Sequence, residues 1–229
     1  MEFTKLSNRL DLVASFVPAG ARLLDVGSDH AYLPIALLQE GKIEAAIAGE
    51  VVEGPYQSAL QNVADNGLED KIEVRLANGL VAFEPTDGIS CITIAGMGGR
   101  LIADILAAGL EKLANVSRLV LQPNNREDEL RAWLVEHDFR IVDEAILEEN
   151  EKFYEILVVE QGSQELTAKE LRFGPYLMRE HAPAFVQKWS KEVEKLAFAL
   201  EQVPVENQSA RASLEERVKQ IKEVLNASK

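Results

Sequence analysis

The sequence predicts an α/β fold in two parts: a mostly parallel sheet closed by an antiparallel hairpin, and a C-terminal helical coiled-coil hairpin. Three observations lead to this prediction. Short apolar, β-rich runs alternate with helical segments over most of the 229 residues. The last two of these runs are joined by the acidic stretch EENEK, with no helix between them. From about residue 163 the strand signals stop and helical periodicity replaces them.

The first element is an amphipathic helix, predicted over residues 3–17. Its apolar side chains recur at steps of four and three residues: Leu6, Leu10, Val13 and Val17. Pro18 and Gly20 are typical of the end of a helix. We therefore expect this helix to bury its apolar face against the elements that follow it in the chain.

The alternating series comes next. We predict strands at residues 22–27, 45–51, 71–77, 89–96 and 117–123, and helices at 31–41, 53–66, 99–110 and 126–137. The strands are apolar on both faces, which is typical of a parallel sheet covered by right-handed helical crossovers. The runs at 139–147 and 153–161 then form the antiparallel pair at the sheet edge.

Two apolar stripes at helical spacing mark the C-terminal part. They comprise Phe185, Trp189, Val193, Leu196, Leu200 and Val203 in one segment, and Leu214, Val218, Ile221 and Leu225 in the other. Pro204 separates the stripes, and Pro183 suits the first turn of a helix. We interpret the stripes as the surfaces on which two antiparallel helices pack together. The predicted domains are residues 1–162 and 163–229.

Composition excludes several classes of protein. The N-terminal residues have no apolar core of the kind found in signal peptides, and no apolar run approaches the ~18 residues of a membrane span. Cys91 is the single cysteine, so an internal disulfide is excluded and a reducing, cytoplasmic location is expected. The three histidines are far apart in the sequence, without metal-ligand spacing, so we expect no metal.

Charge separates the two parts of the chain. The net charge of −14 would argue against a nucleic-acid partner if it were evenly spread. Residues 160–229, however, carry 11 Lys+Arg and 11 Asp+Glu, so the whole excess of negative charge lies in residues 1–159. The sequence alone does not make any one face basic.

Polar or glycine-rich residues follow five successive predicted strands. These strand ends are Asp25-Val26-Gly27-Ser28-Asp29, Gly49-Glu50-Val51, Asn78-Gly79, Ala95-Gly96-Met97-Gly98-Gly99 and Gln122-Pro123-Asn124-Asn125. In an open α/β sheet, ligands bind beyond the carboxyl ends of the strands, near the switch in strand order. Five such ends in series predict a binding site at this edge.

The strand ends favour a nucleoside ligand that lacks phosphate. Gly27 is followed by Ser28 and Asp29, so the glycines of a dinucleotide fingerprint are missing, and an acid would repel a diphosphate. Glu50 lies 25 residues after Asp25 at the end of the second strand, where a carboxylate can accept both ribose hydroxyls. Asp25 or Asp29 can face a positive group. S-adenosylmethionine (SAM) has this chemistry; the alternative roles for Asp25 and Glu50 are helix capping or a surface position.

Six motifs and the helical tail form a recognisable set: LSNRL, LLDVGSDHAYLP, AGEV, ANGL, IAGMGG and QPNN. With this set, over essentially its full length, the chain resembles the bacterial tRNA (adenine(22)-N1)-methyltransferase family. The resemblance implies a Rossmann-like class I methyltransferase sheet, SAM as the cofactor, and methyl transfer to N1 of adenine 22 in the D-arm of tRNA. The expected cofactor-binding residues are Arg9, Asp25, Gly27, Ser28, Asp29, Glu50, Val51, Asn78, Gly79, Ala95, Gly96, Met97 and Gln122.

Four residues are candidates for the methyl-transfer site. Asp29 is expected to stabilise the cationic methyladenine or accept from its N6 amine, and Tyr32 to stack on the flipped base. His30 would orient either group or contact phosphate, and Asn124, with its neighbour Asn125, would read an adenine edge. The alternatives are a helix cap for Asp29, a core position for Tyr32, a local partner for His30 and turn formation for the asparagines.

The fourth strand end carries backbone rather than a side-chain acceptor. Enzymes that methylate exocyclic amines commonly have an Asp/Asn-Pro-Pro-aromatic motif at this point, whereas this chain has Ala95 to Gly99. Its absence is consistent with a ring-nitrogen target, whose lone pair attacks the methyl group directly. Arg9 is a candidate to close over the site or to meet a phosphate, although a solvated helix face is the commoner role for such a residue.

Two questions remain open at this point. The tail cations can bind tRNA, or the hairpin can be a dimerisation or protein-binding device, in a monomer or weak homodimer; these cations are Lys188, Lys191, Lys195, Arg211, Arg217, Lys219 and Lys222. The alternative functions are a SAM-dependent methyltransferase of a small molecule or protein, and a non-catalytic SAM sensor with a coiled-coil partner surface.

Overall fold

The computed structural model describes residues 4–227, and within them seven strands form one sheet. The strands are β1 (Ala21–Val26), β2 (Ile43–Glu50), β3 (Ile72–Leu76), β4 (Cys91–Met97), β5 (Arg118–Pro123), β6 (Phe139–Glu149) and β7 (Lys152–Gln161). Their spatial order is β3-β2-β1-β4-β5-β7-β6. Pairs among β1 to β5 are parallel, and β7 is antiparallel to both of its neighbours. The predicted parallel sheet with a closing hairpin is confirmed.

Helices cover both faces of this sheet and continue into the C-terminal part. They are α1 (Asn8–Phe16), α2 (Tyr32–Gln39), α3 (Glu53–Asp65), α4 (Gly99–Ala107), α5 (Glu127–Glu136), α6 (Ala168–Phe173), α7 (Leu177–Glu180), α8 (Pro183–Gln202) and α9 (Gln208–Asn226). Short 3-10 segments lie at Gly79–Ala82, Pro85–Asp87 and Leu110–Asn115. None of the helices described in residues 4–227 is long and apolar enough to cross a bilayer.

The first helix is shorter than the sequence pattern predicted. It begins at Asn8 rather than at residue 3, because Ser7 has an extended backbone and its hydroxyl accepts a hydrogen bond from the Leu10 amide. The cap outweighs the apolar periodicity, so Leu6 precedes the helix. The predicted start, residue 3, lies outside the described residues.

Apolar side chains pack against both faces of the sheet, which agrees with the continuous hydrophobic runs in β1, β2, β4 and β5. One layer, which includes Ile94, Leu106 and Leu134, lies beneath α4 and α5. The other, which includes Val13, Leu33 and Val63, lies beneath α1, α2 and α3. The two layers hold the carboxyl ends of the parallel strands at one edge.

The C-terminal part is a helical hairpin that also packs against the sheet. The pairing of α8 with α9 is antiparallel, since Arg211 donates to the carbonyls of Leu200 and Val203 while Arg217 lies 3.3 Å from Glu192. The predicted stripes meet between the two helices at Leu196 and Ile221. The other end of the α8 stripe differs from expectation: Phe185 and Trp189 pack with Ile146 of β6 and with Phe173 and Leu177 of α6 and α7.

A buried ionic cluster joins the hairpin to the sheet. The guanidinium of Arg131, which is fully buried, donates to Glu144 at 2.7 Å and to Glu155 at 2.5 Å. Lys188 of α8 bonds to the second oxygen of Glu155 at 2.7 Å and to Glu127 at 2.8 Å. Burial alone would lower the pKa of Arg131, but the carboxylates raise it, so the guanidinium is charged.

Gly174 gives the chain room to pass this cluster. Its φ of +84° is in the region that favours glycine, and a Cβ at this position would lie 2.7 Å from Glu144 Oε2 and 2.9 Å from Arg131 Nη2. The following amide, that of Tyr176, donates to Glu144 Oε2 at 2.9 Å. The connection between the two parts is therefore tightly packed at this point.

Candidate active site

The carboxyl ends of β1 to β5 form one edge of the sheet, with the switch in strand order between β1 and β4. All the predicted cofactor residues except Arg9, which lies on α1, belong to these strands or to the segments that follow them. The backbone joins neighbouring ends directly: the Ala77 amide donates to the Glu50 carbonyl at 2.7 Å. This edge is where a ligand of a doubly wound sheet binds.

Asp25 fixes the first turn of the site. It is 4% exposed, and its two oxygens each accept a hydroxyl hydrogen bond at 2.6 Å, one from Ser28 and one from Thr93 of β4. Burial raises the pKa of Asp25, while the two hydroxyls and the charge of Arg9 oppose that shift. Asp25 therefore ties β1 to β4 and holds Ser28, and neither helix capping nor a surface position describes it.

The turn after β1 has an unusual backbone. Gly27 has a φ of +66°, and the three consecutive residues Asp29, His30 and Ala31 have φ values of +45°, +70° and +59°. Non-glycine residues in this region cost about 1–3 kcal/mol each and persist where their surroundings hold them. Here the Gly49 carbonyl accepts from the Gly27 and Ser28 amides, and the side-chain amide of Asn62 donates to the His30 carbonyl at 3.0 Å. Strain of this kind is typical of functional turns.

Gly27 also meets a steric requirement. A Cβ at this position would lie 2.4 Å from Cε, the end of the flexible Met97 side chain, so that side chain would have to move. The turn after β1 and the end of β4 are therefore neighbours at Gly27 and Met97. Both were predicted to line the cofactor site.

The strained turn presents three side chains to solvent. The Asp29 carboxylate is 85% exposed and lies 3.5 Å from His30 Nε2, and the His30 ring lies 5.5 Å from that of Tyr32. Tyr32 is 43% exposed, so it is not a core residue. Asp29 does not cap α2, because the N-cap position is Ala31 and no side chain caps it. The structural alternatives for Asp29 and Tyr32 are thus wrong, whereas His30 does have local partners.

Glu50 has the property expected of a ribose-binding carboxylate. It is 5% exposed, yet its Oε1 has no hydrogen-bond partner among residues 4–227. Burial raises the pKa of Glu50, the Asp29 amide opposes the shift, and the nearby carboxylates of Asp25 and Asp29 add to it. Leaving a buried acceptor unpaired costs about 1–3 kcal/mol, and a ligand hydroxyl would satisfy it. The donor set of this edge therefore fits the nucleoside of SAM.

The ends of β4 and β5 are held together by side-chain amides. Gln122, which is fully buried, accepts from Arg9 at 2.6 Å and from the Gly96 amide at 3.0 Å. Asn124 donates to the Gly96 carbonyl at 2.7 Å and accepts from Gln122 at 3.1 Å. In this arrangement Asn124 positions Gly96. Its exposed neighbour Asn125 makes no side-chain hydrogen bond within the described part of the chain.

Two other predicted cofactor-binding residues are exposed to solvent. Asn78 is exposed before the 3-10 segment that follows β3, and the side chain of Val51 is 59% exposed after β2. Val51 directly follows Glu50 at the end of β2, and Asn78 follows the neighbouring strand β3. Among the residues that the structure describes, no three His, Cys, Asp or Glu side chains are grouped to hold a metal ion.

Three residues at this edge were not predicted from the sequence. Thr93 bonds to Asp25, Asn62 holds the strained turn, and the Tyr154 ring lies 5.6 Å from the Arg9 guanidinium. Thr93 had a detectable signal, since it is a hydroxyl within an apolar strand. Asn62 and Tyr154 had none, because their roles depend on how α3 and β7 pack.

Comparison with known proteins gives a consistent result. A family model described as tRNA (adenine(22)-N(1))-methyltransferase matches residues 23–224. The Bacillus subtilis (strain 168) protein of that name is 39% identical over 99% of this chain and 99% of its own length. The crystal structure of the B. subtilis m1A22 tRNA methyltransferase TrmK has a TM-score of 0.87 and covers 97% of this chain and 100% of that one.

Two further solved structures contain the cofactor or its product. Streptococcus pneumoniae Sp1610 in complex with SAM is 65% identical, with a TM-score of 0.91, over 97% of this chain and 100% of that one. M. capricolum TrmK in complex with S-adenosylhomocysteine is 28% identical, with a TM-score of 0.84, over 96% of this chain and 98% of that one. Sequence and fold agree over nearly the whole chain, and the protein belongs to the tRNA (adenine(22)-N(1))-methyltransferase family.

Proposed function

We propose that this protein transfers the methyl group of SAM to N1 of adenine 22 in the D-arm of tRNA. Membership of the family supports both the proposed reaction and the proposed substrate. The observation of this chain that supports it best is Glu50, a buried carboxylate with an unpaired oxygen at the switch point of the sheet. When bound, SAM supplies a methyl group on a positively charged sulfur.

Different residues at the strand ends would bind different parts of the cofactor. Glu50 would accept the ribose hydroxyls, and Gly27, which lacks a side chain, would let the backbone approach. Asp29 lies close enough to Glu50 to raise its pKa, and its exposed carboxylate is the acid that can face a positive group. Asp25, Gln122 and Asn124 would act through the backbone turns that they fix.

The reaction requires mainly that adenine N1 and the methyl group are held in line with each other. Adenine N1 has a lone pair, so the N1–C bond forms as the C–S bond breaks, and no proton has to leave N1. N1 is paired in a duplex, so the base must leave its stack to enter the site. Tyr32 would stack on the flipped base, and Asp29 would accept from its N6 amine and offset the positive charge of the methylated ring. His30 would orient these two groups.

Replacing Tyr32 with alanine is expected to lower kcat/KM for tRNA by about 10- to 100-fold, because base–aromatic stacking contributes ~1–3 kcal/mol. Tyr32→Phe keeps the ring and is expected to retain most of the activity. Steady-state kinetics of both variants, with SAM affinity measured by calorimetry as a control, check this. Equal kinetics for Tyr32→Ala and the wild type would remove the stacking role.

The proposed reaction is tested by incubating the protein with labelled SAM and unmodified tRNA, then identifying the labelled nucleoside. We expect label in 1-methyladenosine, lost when adenine 22 is replaced by guanine. Label in another molecule would point to a methyltransferase of different substrate. Tight SAM binding without turnover on any RNA would point to a sensor.

We further propose that the protein works in the cytoplasm as a monomer or weak homodimer, without a metal. The tRNA substrate and the single, buried, unpaired Cys91 support the location. The lone pair of N1 supports a reaction without a metal. Residues 1–162 would form the methyltransferase domain and residues 163–229 the helical domain.

A further inference from the structure

A cavity of about 740 Å³ lies where the helical hairpin faces the end of the sheet. Its walls are the start of β7, the start of α5, and the facing sides of α8 and α9. Asn124 and Asn125, at the end of β5, line one side. Since Asn124 also holds Gly96, the cavity adjoins the candidate active site at this residue.

The cavity is positively charged in a chain whose net charge is −14. Three carboxylates line it, Glu127, Asp128 and Glu192, which leaves a net charge of +3. The six cations that line it are Lys152, Arg172, Lys188, Lys191, Lys195 and Arg217. A local excess of cations in an acidic protein indicates a site that attracts an anion.

Several of these cations have no carboxylate of their own. Within residues 4–227, neither Lys152, Lys191 nor Arg172 has an acidic oxygen within 4.0 Å. Arg217 and Lys195 share Glu192, at 3.3 Å and 3.7 Å. By contrast, Lys188 is fully engaged by Glu127 and Glu155 and belongs to the ionic cluster.

Arg172 is a half-buried cation of this set. Burial lowers its pKa and the Arg217 guanidinium lowers it further, while the charges of Glu192 and Asp128 oppose the shift only in part. Arg172 lies over the rings of Phe173 and Trp189 and donates to the neutral side chain of Gln220. Two guanidiniums held close together are a common way to bind phosphate, because an anion between them relieves their repulsion.

We propose that this cavity binds the phosphodiester backbone of the tRNA strand next to the flipped adenine. The proposal rests on the proposed function and adds the place where the RNA is held. Unpaired cations, aromatic side chains at Phe153 and Trp189, and the Asn124 shared with the candidate active site favour an RNA strand over an acidic protein segment. The Lys191 ammonium lies 4.9 Å from the Phe153 ring centre, so a cation and an aromatic ring stand side by side in the lining.

The test compares two triple variants that lose the same charge. The first, K152Q/K191Q/K195Q, removes exposed lysines of the cavity. The second, K71Q/K219Q/K222Q, removes exposed lysines from the far sheet edge and from the other side of the hairpin. Kd for unmodified tRNA is measured from about 50 to 200 mM salt, the range over which phosphate contacts weaken most visibly.

We expect the cavity variant to bind tRNA about 10- to 100-fold more weakly at low salt, with the salt slope smaller by about 2–3, since each phosphate contact contributes about 0.7–1. SAM affinity and the rate at saturating tRNA should be unchanged, which also shows that the variant is folded. The control variant should lose much less affinity.

Equal tRNA affinities and salt slopes in the two variants would overturn the cavity proposal, and would leave this surface to a protein partner. Failure of the proposed function looks different. In that case the wild type would transfer no methyl group to tRNA, whatever the comparison of the two variants showed.

Discussion

Replacing Arg131 with methionine is expected to lower the free energy of unfolding at pH 7 by about 3–5 kcal/mol, the usual cost of breaking a buried ion pair from one side. Methionine replaces the unbranched stem of the arginine side chain, so the loss is mainly electrostatic. Glu144 and Glu155 would be left buried, and only Glu155 would keep a cation, Lys188. Urea unfolding followed by circular dichroism measures the change.

The pH dependence of this deficit identifies its cause. Burial already raises the pKa of Glu144, and the charge of Arg131 opposes that shift. Without Arg131 the folded-state pKa of Glu144 rises further, so the folded variant holds a proton that the unfolded chain releases above its ordinary value of 4.5. The deficit should therefore grow as the pH rises from 5 to 7.

Arg140→Met is the matched control, because Arg140 pairs with Glu160 on the same hairpin but is 52% exposed. A solvent-exposed pair contributes about 0–1 kcal/mol, so this variant should be close to the wild type. If the two variants lost the same free energy of unfolding, burial of the ionic cluster would add nothing to its contribution to stability.

Replacing Glu50 with glutamine is expected to weaken SAM binding by about 10- to 100-fold. A hydrogen bond to a charged group contributes ~1.5–3 kcal/mol, and the carboxamide retains only one acceptor oxygen. Isothermal titration calorimetry measures the affinity. Glu53→Gln, which removes the same charge from the exposed first turn of α3, is the control and should bind SAM as the wild type does.

The same substitution should stabilise the ligand-free protein. The folded-state pKa of Glu50 is raised by burial, so its ionised form destabilises the fold above the unfolded-state value of 4.5. Glu50→Gln should have no advantage below that pH and should gain stability as the pH rises through the raised pKa. A higher Tm without SAM, with a smaller increase on adding SAM, is the expected pair of results.

An unchanged SAM affinity in Glu50→Gln would remove the ribose-binding role. A lower Tm without ligand would instead show that the carboxylate is structural. The two measurements therefore separate a residue kept for its ligand from one kept for the fold.

Much of the sheet could be predicted because each parallel strand is a continuous apolar run that ends in a polar or glycine residue. That pattern alone predicts Asp25 and Glu50 at the same edge of the sheet. It also predicted the antiparallel hairpin, since EENEK leaves no room for a crossover helix. The insertion of β7 between β5 and β6 was not predicted, because a hairpin can present either strand to the sheet.

Other features depend on contacts that no local pattern reports. Arg131 looks like an exposed helical charge in sequence, and its burial follows from the packing of α6 and α7 over α5 and β6. The left-handed turn at Asp29 to Ala31 contains no glycine, so the sequence gives no signal that predicts it. Asn124 was predicted to read a base; that its amide also holds Gly96 could not be predicted, because this contact depends on the ends of β4 and β5 approaching within hydrogen-bond distance.

The position of β7 determines how far its first residues extend past the neighbouring strand β5. Leu157 pairs with Leu121, so residues 152–154 extend beyond the end of β5 as a rigid arm toward the hairpin. Each strand residue spans ~3.3 Å, so an insertion of two residues in the arm would shift its tip by roughly 7 Å, about one nucleotide step along a strand. The length of this arm therefore fixes how far Lys152 and Phe153, which line the cavity, stand from the end of β5.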